Sequence, residues 1–164
     1  MTMAGIMLTT QYLTFKLDNE MFALDISKVR EVLDFTSITR VPRMPEFMRG
    51  VIDLRGSVVP VIDLRLTFGL SQIERTVNTC VIIVEVTLDN ETAVLGALAD
   101  SVQEVLDLGP DHIEPAPKIG TRLNTEFIKG MGRQNDQFVI ILDIDKVLTS
   151  DELIHVQDVL AETE

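Results

Sequence analysis

The segment that decides the fold spans residues 50–65 and has the sequence Gly-Val-Ile-Asp-Leu-Arg-Gly-Ser-Val-Val-Pro-Val-Ile-Asp-Leu-Arg. Apolar runs rich in β-branched residues lie on either side of Gly56-Ser57. This pattern predicts two strands joined by a two-residue turn, in which glycine supplies a positive φ angle. Pro60 favours an edge or a bulge in the second strand, because proline lacks the N–H that a sheet requires. We therefore expect a β-hairpin with Asp-Leu-Arg-Gly, residues 53–56, at its tip.

The same hairpin device occurs elsewhere in the chain, within an internal repeat. The tetrapeptide Leu-Asp-Asn-Glu stands at residues 17–20 and again at 88–91, each time between two apolar runs. Three further pairs of segments resemble each other in the same order, namely 29–34 with 102–107, 45–50 with 125–130, and 58–64 with 138–144. Self-similarity at this spacing predicts two tandem β units, residues 11–70 and 78–148.

Each unit contains about five short strand patterns and no long amphipathic helix. Such strands are closed most economically into a small barrel, because closure leaves no exposed sheet edge. Residues 150–162 differ, since Ser150 can cap a helix, acidic residues follow it, and apolar residues recur at helical spacing. We predict an all-β protein of two small barrels, followed by a C-terminal helix over residues 150–162.

The composition limits the kinds of partner that the protein can have. The 164 residues carry 14 Lys and Arg against 26 Asp and Glu, a net charge of −12, so nucleic acids and anionic membranes are repelled at long range. After the uncharged first 15 residues, the longest uncharged stretch is 76–84, which is too short to span a membrane. The single cysteine, Cys80, excludes an intramolecular disulfide and suits a reducing cytoplasm. We expect a cytoplasmic protein with neither nucleic-acid binding nor direct membrane insertion.

The residues that carry catalytic or metal chemistry do not form a recognisable constellation. The two histidines have no His or Cys neighbour at metal-ligand spacing, and the sequence lacks a nucleophile elbow, a phosphate loop and a dinucleotide fingerprint. Cys80 opens a β-branched run, which favours a buried apolar role. Asp63, Asp143 and Asp145 lie in or beside apolar strands, where a structural placement is favoured. We expect no enzyme activity, no metal and no cofactor; a small β-barrel ligand carrier that uses buried carboxylates is the alternative.

The hairpin tip stands out when it is compared with its repeat partner. Asp53-Leu54-Arg55-Gly56 aligns with Arg133-Gln134-Asn135-Asp136, so the barrel tolerates different residues at this turn. The fold alone therefore does not require the first of these sequences. An arginine at the end of a rigid hairpin presents a fork of donors that can anchor a partner's carboxylate or backbone carbonyls. The alternative is a solvated Arg55 that pairs with Asp53 or with a neighbouring glutamate.

The sequence resembles a known family, the CheW-like chemotaxis coupling proteins. The family's most characteristic stretch is similar to residues 50–65. Further similar segments, in the family's order, are 22–26, 29–32, 38–42, 100–106, 115–117 and 125–130. The resemblance covers about residues 11–150, and the two units would then form a single CheW-like domain, 11–148.

The resemblance implies two SH3-like five-stranded β-barrels, between which strands can be exchanged. It also implies a non-catalytic adaptor that couples methyl-accepting chemoreceptors, through their cytoplasmic tips, to the regulatory domain of the histidine kinase CheA. The protein would then be cytoplasmic and associated with membrane receptor arrays through these partners. An adaptor of a paralogous chemosensory array, with pili or another output, is the alternative function.

By position, the family's receptor- and kinase-binding residues match Val29, Glu31, Gly50, Arg55 and Val58 of this chain. The tip residues Asp53, Leu54 and Gly56 complete the candidate site. Arg55 is the first choice and Glu31 the second, whereas Val29 and Val58 are equally consistent with a place in the core. The family usually has asparagine where this chain has Asp53, and we expect the extra negative charge either to tighten Arg55 locally or to shift receptor preference.

Overall fold

Strands account for nearly all of the regular structure, because β-branched residues and alternating patterns recur along the chain. The computed structural model describes residues 9–34, 37–88, 90–115 and 127–147. The strands in these ranges are β1 (Thr10–Leu17), β2 (Glu20–Asp25), β3 (Val29–Asp34), β4 (Met48–Leu54), β5 (Ser57–Asp63), β6 (Cys80–Leu88), β7 (Glu91–Ala99), β8 (Ser101–Leu108), β9 (Ile113–Glu114), β10 (Ile128–Gln134) and β11 (Gln137–Leu142). A four-residue helix, α1 (Leu64–Thr67), follows β5. The all-β prediction is confirmed, while the predicted helix over 150–162 lies outside the described residues.

The strands form two sheets, and each sheet takes strands from both units. The first sheet has the order β8-β1-β2-β11-β10-β9, and the second has the order β3-β6-β7-β5-β4. The β1–β2 hairpin therefore lies among strands of the second unit, and the β6–β7 hairpin lies among strands of the first. Parallel contacts of β2 with β11 and of β5 with β7 join these hairpins to their sheets. The expected strand exchange is thus present, and the two-residue β9 adds a sixth strand to the first sheet.

Central strands are apolar on both faces because each face covers a different core. Within β6, Ile82 and Val84 belong to a cluster that both sheets share, whereas Val81 and Ile83 belong to a cluster confined to the second sheet. A further cluster, around Tyr12, is confined to the first sheet. Burial of one large aliphatic side chain contributes about 2 kcal/mol. Since the shared cluster is the largest, each sheet depends on the other for much of its apolar burial.

The hairpin turns follow the repeat, with one correction to the sequence prediction. β4 and β5 are joined at Arg55-Gly56, one residue before the predicted Gly56-Ser57, so that Leu54 is opposite Ser57. Arg55 has a φ of 51° and Gly56 a φ of 88°. A type I′ turn requires positive φ at both central residues, and here glycine serves as the second of them. The aligned residues of the second unit, Asn135-Asp136, have φ of 50° and 64° and join β10 to β11 in the same way.

Pro60 marks neither of the two features expected for it, a sheet edge or a bulge in its own strand, and the register shift of the β4–β5 pair lies in β4. It lies in β5, between β4 and β7. On one side Pro60 is opposite Val51, whose N–H and C=O bond to the segment before β4. On the other side the pairing of β5 with β7 begins at Val61. Proline is accommodated because neither neighbour depends on the N–H that it lacks.

Candidate functional site

Arg55 stands at the outer end of the β4–β5 hairpin and is held by a carboxylate from another strand. Its side chain is 73% exposed. Nη1 donates to Oε2 of Glu31 at 2.7 Å, and Nη2 donates to Oε1 at 2.9 Å. Two-point pairing of this kind fixes the plane of the guanidinium as well as its position. The fork is therefore pre-positioned while most of its surface faces solvent.

The Glu31–Arg55 pair bridges the seam of the second sheet. Glu31 lies on β3, at one edge, and the Arg55 turn connects β5 to β4, the opposite edge. In a flat sheet, β3 and β5 would be three strand spacings apart, roughly 14 Å. The sheet therefore curls, and the ends of the two long side chains come within 2.7 Å of each other. This curvature brings together two side chains that are 24 residues apart in sequence.

Asp53 stabilises the turn and not the Arg55 side chain. Its Oδ1 accepts a hydrogen bond from the Gly56 N–H at 2.8 Å. Of the two pairings considered for Arg55, the structure contains the one with a glutamate, Glu31, and not the one with Asp53. The expected tightening of Arg55 by Asp53 is therefore not seen. An asparagine at this position offers the same acceptor, so the turn itself does not require a negative charge.

The ion pair shifts the titration of both partners. The pKa of Glu31 lies below its ordinary value, mainly because its carboxylate accepts the side-chain hydrogen bonds of Arg55. The same hydrogen bonds raise the pKa of Arg55. Both groups are thus charged at neutral pH. Because water screens so exposed a pair, it contributes little to folding stability, and positioning is its more important effect.

The other predicted residues divide between the surface and the supporting core. Val58 is 51% exposed and is opposite Asp53 in the β4–β5 ladder, and Gly56 is also exposed. Val29 packs against the shared cluster, and Leu54 packs against the cluster of the second sheet. The structure therefore gathers Glu31, Asp53, Arg55, Gly56 and Val58 at the tip, and it gives Val29 and Leu54 a structural role.

Gly50 also has a structural role, at a bulge in β4. Its φ is +143°, and a Cβ atom there would lie 2.1 Å from the backbone oxygen of Thr39. No side chain fits such a gap. Gly50 lets the segment before β4 approach and bond to Val51, with N···O distances of 2.8 and 2.9 Å. It holds the base of the hairpin and presents no side chain to a partner.

The structure exposes a further apolar residue that the sequence did not single out, Val32, which follows Glu31 on the same edge strand. Val32 is 40% exposed, and its repeat partner Val105 is 48% exposed. Along β3, half-buried and exposed residues alternate, and Val32 takes an exposed position. Polar and apolar residues do not alternate in the sequence of β3, so the pattern alone does not show that Val32 is exposed.

The carboxylates beside the strands are structural, as predicted. Asp63 accepts a hydrogen bond from the Arg65 N–H at 2.9 Å, and Asp143 accepts one from the Asp145 N–H at 3.2 Å, so each caps the turn after its strand. Cys80 is buried, and burial raises the pKa of its thiol. Among the described residues, no three His, Cys, Asp or Glu side chains are placed to hold a metal ion. No helix in the described ranges is long and apolar enough to cross a membrane.

Comparison with known proteins finds relatives along most of the chain. The family model for the CheW-like domain matches residues 11–152. The chemotaxis protein CheW of Klebsiella aerogenes is 37% identical over 157 residues, which cover 96% of this chain and 92% of that protein. The chemotaxis protein CheW of Thermotoga maritima is 31% identical over 150 residues, or 90% of this chain and 93% of that protein. The crystal structure of the scaffolding protein TtCheW from Thermoanaerobacter tengcongensis is similar with a TM-score of 0.77 at 33% identity, and the match covers 88% of this chain and 95% of that one.

Proposed function

Since the chain belongs to the CheW-like family, we propose that it is a chemotaxis adaptor that couples methyl-accepting receptors to the histidine kinase CheA. Its relatives are named chemotaxis proteins and, in one case, a scaffolding protein, and the match extends over most of each chain. The adaptor carries out no chemistry of its own. It lies in the cytoplasm and joins membrane receptor arrays through its partners.

The observation that carries the proposed binding site is an arginine at a turn position that does not favour arginine. Arg55 has a left-handed φ of 51°, a conformation that L-residues other than Asn and Asp rarely adopt. The aligned turn residue of the second unit is Asn135, at a φ of 50°. Arg55 is nevertheless fixed by Glu31 and 73% exposed. A side chain that is positioned, exposed and unfavourable for its own backbone supports a binding role.

The tip offers a partner both polar and apolar contacts. Of the five N–H donors of a guanidinium, two bind Glu31, which leaves three for a partner's carboxylate or backbone carbonyls. Val58 adds an exposed aliphatic surface nearby. This combination suits the receptor's cytoplasmic tip, with Arg55 as the anchor, Glu31 as its positioning residue and Val58 as the apolar contact.

Coupling requires more than attachment. A scaffold changes the active fraction of the kinase only if the complex has different affinities for the two receptor states. Because Glu31 restrains Arg55, a small displacement of the receptor changes the distances and angles of the hydrogen bonds between the receptor and the Arg55 guanidinium. A flexible arginine would instead follow the receptor by changing its rotamer. A rigid anchor thus transmits a conformational bias that a mobile one would absorb.

Titration calorimetry tests this function. The full chain is titrated with the regulatory domain of a CheA kinase from the same organism, with and without a receptor-tip fragment. We expect saturable kinase binding by the wild-type protein. Arg55→Ala should weaken binding of the receptor fragment by at least about tenfold, as is typical for loss of a central arginine anchor.

Asn135→Ala provides the matched control, because it truncates the aligned residue of the second tip. This variant should bind both partners like the wild type. Arg55→Ala should have nearly the wild-type midpoint of thermal unfolding, and Asn135→Ala a slightly lower one, because alanine is less favourable than asparagine at a φ of 50°. Wild-type receptor binding by Arg55→Ala would contradict the proposed site. Absence of a complex with every CheA kinase of the organism would contradict the adaptor function itself.

A further inference from the structure

Two ion pairs join the units at the points where the strands are exchanged. After β5, Nη1 of Arg65 donates to Oδ2 of Asp100 at 2.7 Å. After β11, Oδ2 of Asp145 accepts from Nζ of Lys28 at 3.0 Å. The first unit supplies both cations, and the second unit supplies both anions.

The two pairs occupy matching positions of the repeat. Arg65 and Asp145 each stand two residues after the aspartate that caps the turn. Lys28 is the last residue before β3, and Asp100 is the last residue before β8. These are the points at which the chain leaves each exchanged hairpin. The residues of each pair meet because β5 runs parallel to β7, and β11 runs parallel to β2.

Additional contacts hold the charged groups at both junctions. The Arg65 side chain is only 8% exposed, and its Nε donates to the Ser71 backbone oxygen at 2.7 Å. Its Nη2 lies 3.3 Å from Oδ1 of Asp18, in the turn of the exchanged β1–β2 hairpin. At the other junction, Oδ1 of Asp145 accepts from the Thr87 N–H at 2.8 Å, in the exchanged β6–β7 hairpin. Each ion pair therefore lies against the hairpin that crosses between the sheets.

We propose that these charges select the exchanged strand arrangement over one in which each unit closes on itself. If each unit kept its own hairpin, β5 would run beside β2, and β11 would run beside β7. Arg65 would then face Lys28, and Asp145 would face Asp100, so both junctions would join like charges. The apolar alternation of the strands is the same in both arrangements and does not distinguish them. The four paired charges do distinguish them. Arg65 attracts Asp100, and Lys28 attracts Asp145, in the exchanged form, whereas Arg65 would repel Lys28, and Asp100 would repel Asp145, in the self-closed form.

The first experiment measures one junction by reversal and restoration. Lys28→Asp places a second carboxylate beside Asp145 in a pair whose side chains are 34% and 27% exposed. We expect the unfolding equilibrium constant, measured in urea, to rise about tenfold. Lys28→Asp combined with Asp145→Lys restores an attractive pair of reversed polarity. Because Asp145→Lys also loses the hydrogen bond from the Thr87 N–H, the double variant is compared with both single variants. It should be more stable than the sum of the two single losses predicts, and additive losses would overturn the electrostatic role.

The second experiment tests the choice of strand arrangement. Lys28→Asp combined with Asp100→Lys keeps the net charge, makes both junctions repulsive in the exchanged form and makes both attractive in the self-closed form. We expect weakened or lost NOEs between the backbones of β5 and β7, and a larger loss of stability than Lys28→Asp produces. The control is Lys129→Asp with Asp107→Lys, which exchanges the same residue types at exposed positions.

The outcomes separate selection from general charge effects. The proposal is supported if the control and the restored junction variant stay folded while the Lys28→Asp, Asp100→Lys variant loses the β5–β7 NOEs or fails to fold. It is overturned if that variant keeps the full set of β5–β7 NOEs, whatever its midpoint. It is also overturned if the control is destabilised to the same extent.

Discussion

The β4–β5 and β10–β11 hairpins share one backbone design and present different tips. Each turns through two residues of positive φ, and each carries a glycine at a bulge in its first strand. Each is also tied at its far end by a short backbone hydrogen bond, from Asp63 N–H to Phe47 at 2.6 Å and from Asp143 N–H to Phe127 at 2.7 Å. The features that build the hairpin are therefore common to both units.

The tips differ in the side chains that meet at the barrel seam. In the first unit, Arg55 pairs with Glu31 through two hydrogen bonds of 2.7 and 2.9 Å. In the second unit, the aligned Glu104 accepts a single bond of 3.4 Å from Gln134 Nε2. The comparison teaches that seam closure does not need a charged pair. The arginine of the first tip is then an addition to the fold, which is why we assign it to binding.

Alanine substitution of the bulge glycines should produce the largest loss of stability. It also shows whether the two hairpin bases require glycine to the same extent. At Gly50, a Cβ would meet the Thr39 oxygen at 2.1 Å at a φ of +143°. At Gly130, the nearest atoms are a flexible Ile113 methyl at 2.8 Å and the Glu114 oxygen at 3.1 Å. We expect Gly50→Ala to cost about 3 kcal/mol or more and Gly130→Ala roughly 1–2 kcal/mol, measured by urea unfolding. Equal losses would contradict the stronger constraint at Gly50.

A smaller effect is expected at the exposed apolar residue beside each tip. Phe138 is 49% exposed, and the Arg133 guanidinium carbon lies 4.8 Å from its ring centroid. Phe138→Ala should lower the free energy of unfolding by about 1 kcal/mol through loss of this cation–π contact and ring packing. Val58→Ala, the matched variant in the first unit, should change it by less than about 0.5 kcal/mol. Thermal unfolding of both variants measures the two losses of stability. A larger loss for Val58→Ala than for Phe138→Ala would contradict the expectation.

The smallest effect on stability is expected when the first tip is made like the second. Arg55→Asn removes the Glu31 pair and places a favoured residue at the left-handed position, so the midpoint of unfolding should stay near that of the wild type. The pKa of Glu31, which Arg55 lowers, should rise toward its ordinary value. An NMR titration of the Glu31 carboxyl in both proteins measures this change.

The direction of the pH dependence follows from the same pair. Because the folded-state pKa of Glu31 is below its unfolded value, the contribution of the pair is complete above the ordinary glutamate pKa. It is lost as the pH falls through the lowered, folded-state value. A Glu31 that titrates identically in the wild type and in Arg55→Asn would show that the pair does not persist in solution.

Much of the fold could be predicted because local sequence patterns in both repeats indicate the strands and turns. Alternation located the strands, and the Asp-Asn and Asp-Leu-Arg-Gly segments located the turns to within one residue. The prediction places the turn one residue too late, because it uses Gly56 as the first residue with positive φ, whereas Gly56 is the second such residue of the type I′ turn. The alignment of Arg55 with Asn135 was nevertheless correct.

Features that depend on tertiary closure could not be predicted from the residues. The Glu31–Arg55 pair joins an edge strand to a turn on the far side of the same sheet, and no local pattern specifies that contact. Pro60 suggested an edge or a bulge because the sequence does not show that the pairing of β5 with β7 begins only at Val61, after the proline. The strand exchange was expected from the family resemblance alone, since alternation is identical whether a hairpin stays in its own unit or crosses.

The exchange of hairpins also bears on how such a chain evolves. If the two units arose by duplication, removal of either would now take strands from both sheets and expose the cluster that they share. In the exchanged arrangement, loss of one copy would leave the other without strands that complete both sheets, so the duplication is not easily reversed. Both copies contribute to the shared cluster, whereas the exposed tip of each copy can change without loss of that cluster. Arg55 on one tip and Asn135 on the other are an example of such a difference.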